Sequence, residues 1–75
     1  MKQENYTNKK ERFKRLAAKR TNSILKRLEV LGNCANRGAY DYTEEEINKI
    51  FTAIEVKARQ VKGKFYFPKG KEFEL

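Results

Sequence analysis

Histidine and tryptophan are absent from this chain, and cysteine, proline and methionine occur once each. With Cys34 alone there is no internal disulfide, and with no histidine beside it the usual zinc ligand sets are excluded. No metal or other cofactor is therefore expected. The same absences remove Cys-His and Ser-His nucleophilic pairs, and there is no glycine-rich phosphate loop. Catalysis is not expected. A single thiol fits a reducing compartment better than a secreted one. The first ten residues, MKQENYTNKK, are polar and lack an apolar signal region. No apolar run approaches the length of a membrane span. The chain reads as soluble and cytoplasmic, with no membrane partner.

Seventy-five residues suggest one domain, residues 1–75, near the lower limit of independent stability. Only 39% of the residues are apolar, and 37% are charged. With disulfides and metals excluded, stability must come from regular helix packing or from self-association.

The charge is unevenly placed. Residues 1–31 hold ten Lys/Arg and three Glu, a net charge of +7, whereas residues 32–75 hold eight Lys/Arg and seven Asp/Glu, a net charge of +1. Asymmetry of this kind points to a polyanionic partner, with nucleic acid first. The plain alternative is a solubilising helix surface.

Two helices are predicted. The first runs over about 8–31, with Thr7 or Asn8 as N-cap and residues 1–7 as a flexible N-terminus. With Phe13 at zero and about 100° per residue, Leu16, Ala17, Ile24, Leu28 and Leu31 fall within about 60° of it. Thr21, Asn22 and Ser23 are weak helix formers, but Ala17, Ala18 and the run from Leu25 to Leu28 favour continuity. Gly32 suits a left-handed residue just past the helix end. The second helix, about 44–64, starts on the capping box Thr43-Glu44-Glu45-Glu46, with Tyr42 and Ile47 at hydrophobic-staple spacing. Its apolar stripe is Ile47, Ile50, Phe51, Ile54, Ala58 and Val61. Gly63 is a candidate stop, although Phe65 prolongs the stripe and would carry the helix to about Tyr66. In the tail, Pro68-Lys69-Gly70 and the alternating Phe65, Phe67, Phe73 and Leu75 allow a short hairpin or an extended segment. The extended reading is preferred because an isolated two-stranded hairpin is marginal in water.

The expected fold is all-α: an antiparallel two-helix hairpin with an aromatic C-terminal tail. Either the tail or a second copy would cover the remaining apolar surface. A second copy would give a four-helix bundle.

Arg12, Arg15, Lys19 and Lys26 fall on the far side of the first helix, at about 200–260° from Phe13, with Asn22 beside them. Cations at these steps can meet successive phosphates, and arginine matches phosphate geometry better than lysine. Asn22 can reach a base edge if the helix enters a groove. Arg20 and Arg27 border the apolar stripe, where snorkelling, or a salt bridge to an acid such as Glu55, is the simpler role.

Between the helices, Asn33 to Gly38 has turn chemistry, and Gly38 is expected to take a positive φ. Arg37 and Tyr40 are the recognition candidates of this loop, able to stack on an unpaired base or anchor a protein. The preferred role for Tyr40 is to tuck against the helix end near Leu31 and close the open end of the hairpin, which makes the loop a connector first.

The run from Lys19 to Glu55, KRTNSILKRLEVLGNCANRGAYDYTEEEINKIFTAIE, covers about half of the chain. It combines a helix, an L-G-N turn, an N-R-x-x-Y-x-Y-T loop and an acid-capped second helix. In this it is similar to small basic helical proteins of bacteria, their phages and mobile elements. The resemblance supplies a setting, not a mechanism, and carries over no catalytic residue. It implies nucleic-acid binding or interference with a host nucleoprotein.

Two functions follow. The first is a non-enzymatic protein that docks a basic helix on the phosphate backbone of RNA or DNA, with low sequence specificity. The second is an accessory or inhibitory module acting on a partner protein or nucleoprotein.

Overall fold

The computed structural model describes residues 5–67, with side chains from residue 8 onward. The chain divides into two compact units, Met1–Asp41 and Tyr42–Leu75, and each is described by itself. The elements are α1 (Asn5–Gly32), a 3₁₀ turn (Asn33–Ala35) and α2 (Glu44–Lys62). The architecture is all-α, with no strand among the described residues.

In the first unit, α1 runs unbroken for 28 residues, about 42 Å at 1.5 Å per residue. Thr21, Asn22 and Ser23 do not interrupt it. It begins three residues before the expected start. Asn5, Tyr6 and Thr7 are helical rather than a flexible lead, because neither glycine nor proline stops the helix from extending upstream. Residues 1–4 lie outside the described residues.

The C-terminal end also differs from expectation. Gly32 sits at φ −60° and ψ −22°, a right-handed helical conformation. The chain does not reverse there. It tightens into the 3₁₀ turn, and the Asn36 amide donates to the Asn33 carbonyl at 3.4 Å. A left-handed glycine is needed only where the helix ends in a sharp reversal.

In the second unit, α2 starts as its sequence dictates. Thr43 is extended at φ −107° and ψ 161°. Its Oγ1 accepts from the Glu46 amide at 3.1 Å, and Glu46 Oε1 accepts from the Thr43 amide at 2.9 Å. Two amide donors that the first turn would leave unpaired are thus satisfied. Glu44, Glu45 and Glu46 fill the first turn, and Arg59 and Lys62 lie in the last. Both placements suit the helix dipole. Tyr42 and Ile47 are half-buried between exposed neighbours, as staple spacing requires. Thr43→Ala should lower the stability of this unit by about 1 kcal/mol. The loss should appear as faster hydrogen exchange at the Glu46 amide, and unchanged exchange would dismiss the cap.

α2 ends at Lys62 and does not continue to Tyr66. The Gly63 amide donates to the Arg59 carbonyl at 3.1 Å. The Lys64 and Phe65 amides then bond back to Val61 and Lys62 at 3.0 and 3.1 Å. The turn tightens and the helix closes, because glycine at position 63 disfavours further helix. Phe65, Tyr66 and Phe67 are irregular and exposed, at 56%, 80% and 81%. The choice between a hairpin and an extended tail depends on residues 68–75, which lie outside the described residues.

Both apolar stripes fall at helical spacing, but no described residue is buried. Leu16, Ala17 and Leu31 in the first unit, and Ile47 and Ile54 in the second, are half-buried. Phe13, Ile24 and Leu28 are exposed, as are Ile50, Phe51 and Val61. Each unit contains one long helix, and a lone helix has no second layer to bury its apolar face against.

Candidate nucleic-acid interface

α1 carries nine lysines and arginines against two glutamates, Glu11 and Glu29. Four of the nine, Arg12, Arg15, Lys19 and Lys26, form the predicted stripe, which is about 21 Å long from first to last. All four are exposed, and so is Asn22 beside them. Among the described residues of the first unit, no carboxylate lies within 4.0 Å of any of the four. An unpaired cation on a rigid helix exchanges only water and counterions when it meets a phosphate.

The positive surface is wider than the stripe. Lys9, Arg20 and Arg27 border the apolar face on one side, and Lys10 and Lys14 border it on the other. All are exposed. Sequence reasoning picked the face opposite Phe13, gave Arg20 and Arg27 a structural role and did not weigh Lys9, Lys10 and Lys14. Their signal was present in the same helical wheel, where Glu11 and Glu29 share a single sector about 160° from Phe13. Cations therefore run unbroken by acids around most of the helix.

The loop is organised by Asn36, a residue that sequence reasoning did not single out. Its carbonyl accepts from the amides of Ala39 and Tyr40 at 3.1 and 2.9 Å. Its side-chain Oδ1 accepts from the Gly38 amide at 2.9 Å. This is an Asx-type turn, and the Asn-x-Gly spacing was its signal. Gly38 does not take the positive φ expected of it. A Cβ there would stand 3.2 Å from Asn36 Oδ1, a tight contact that the Asn36 side chain would have to ease by a few tenths of an ångström.

Arg37 and Tyr40 sit on this turn, apart in sequence from the basic stripe. Arg37 Nη1 lies 3.9 Å from Asp41 Oδ1, a long ion pair between exposed side chains. Pairs of this kind contribute little stability. Tyr40 is 54% exposed, so the tuck expected of it does not bury the residue. The loop is an ordered connector that presents Tyr40 outward.

The described residues contain no helix long and apolar enough to cross a membrane. No protein-family model matches the chain, and no curated protein or solved structure matches it.

Proposed function

We propose that this chain is a small, non-enzymatic nucleic-acid-binding protein of a mobile-element setting, acting in the cytoplasm. α1 lays Arg12, Arg15, Lys19 and Lys26 along a phosphate backbone, with Asn22 turned toward base edges. Arg37 and Tyr40 add an exposed cation and an exposed ring on the connecting loop. Recognition is mainly of backbone and shape, so sequence specificity is low. The observation that supports this reading is the excess of nine cations over two acids on one helix, with the stripe cations exposed and without an acidic partner among the described residues of their unit.

Titration into labelled duplex DNA, single-stranded RNA and hairpin RNA tests it. Five phosphate contacts on duplex DNA would weaken binding a few hundredfold between about 50 and 200 mM salt. The ranking of the three ligands distinguishes RNA from DNA. No binding at low salt would overturn the reading.

The exposed apolar stripes favour a second reading, an accessory or inhibitory module that docks on a partner protein or nucleoprotein. They also bear on assembly. Pairing of the α1 and α2 stripes in an antiparallel hairpin, with a second copy completing a four-helix bundle, would give each stripe a cover.

A further inference from the structure

We propose that the apolar face of α2 is a homodimer contact, in which two copies of α2 pack antiparallel about a twofold axis at Ile54. This rests on the dimeric assembly of the preceding section and names the helix that makes its central contact.

The first argument is spacing. Ile47 and Val61 lie seven residues before and after Ile54, and Ile50 and Ala58 lie four before and after it. The face is therefore nearly the same read from either end. About a twofold axis at Ile54 each residue meets its mirror position on the other copy, so these apolar residues meet apolar residues: Ile47 meets Val61, and Ile50 meets Ala58. Ile47, Ile54 and Val61 recur every seven residues, with Ile50 between the first two, as in a helix–helix seam. Ile50, Phe51 and Val61 are exposed at 39%, 43% and 45%.

The second argument is charge. On one flank of the face, about 60–80° from Ile47, lie Glu44, Glu55 and Lys62. In the antiparallel pair, Glu44 of one copy comes within about 3 Å, along the axis, of Lys62 on the other. On the opposite flank, Glu46 comes within about 8 Å, along the axis, of Lys57 on the second copy. Acid meets base at both ends. Glu55 alone faces its own mate near the axis, pointing outward. A parallel pair would set the Glu44–Glu46 turn against itself. The borders of the α1 face, Lys9, Lys10, Arg20 and Arg27, are all basic. α1 therefore offers α2 complementary charge at one end only, and two copies of α1 repel each other. Opposed helix dipoles favour the same antiparallel alignment.

Six apolar positions over about 21 Å make a contact at the low end of stable interfaces, so association should be concentration-dependent. Sedimentation of the full chain across the micromolar range reports the assembly state. In a Cys34→Ser background, Ile54→Cys should then form a covalent dimer on oxidation, since a residue on the axis faces itself. Lys49→Cys, on the far side of α2, should not. Mixed Ile47→Cys and Val61→Cys chains should link to each other, and neither should link to itself. Glu44→Lys should weaken the dimer several-fold, as should Lys62→Glu. Mixing those two variants should restore association. A dimer that forms without the Ile54 link would overturn this contact and leave the dimer standing, with α1 as the cover for α2. A monomer at every concentration would overturn both.

Discussion

Arg15→Glu combined with Lys19→Glu should lower affinity for nucleic acid by about a hundredfold or more at 50 mM salt. The two residues sit at the centre of the basic stripe, and reversing them takes α1 from seven net positive charges to three. The salt dependence should flatten as well, because two counterion-releasing contacts are lost along with their affinity. Both positions are exposed and face away from Phe13, and glutamate is as good a helix former as either residue it replaces. Circular dichroism should therefore show helix content unchanged. Unaltered affinity in a folded variant would remove α1 as the docking surface and move the weight to a protein partner.

Phe51→Ala should lower the stability of the assembled protein by about 3–5 kcal/mol, the usual cost of losing a well-covered phenylalanine. Phe51 keeps 43% of its surface exposed, so a loss of that size requires further cover for the ring, which the proposed association would supply. The cost should thus appear as weaker association, with a melting temperature that rises with protein concentration in the parent and much less in the variant. If melting and sedimentation are both unchanged, the α2 stripe is not an interface, and the twofold contact at Ile54 fails with it.

The capping box was legible because its chemistry is local. Thr43 and Glu46 need only each other, three residues apart, and both hydrogen bonds are present. The stripes were legible for the same reason, since helical spacing places side chains without help from other elements. Gly32 and Gly38 were misread because a glycine permits a left-handed backbone without requiring it. At 32 the chain continued into a 3₁₀ turn, and at 38 the Asn36 side chain set the geometry. The site cations were visible one by one. What covers the apolar faces was not, because that depends on contacts beyond a single helix, and periodicity carries no information about them.

α1 and α2 treat their own dipoles in opposite ways. α2 has acids at its start and bases at its end, whereas α1 has no acid in its first turn and no base in its last. α1 is therefore a helix held under electrostatic tension, with cations crowded toward a terminus that already carries partial positive charge. Dissolved salt relaxes that tension by screening, and a polyanion relaxes it by direct contact. The two compete for the same relief. If α1 docks on a polyanion as proposed, salt that screens the helix also removes part of what binding would gain, so binding and helix stability would draw on one reservoir of repulsion.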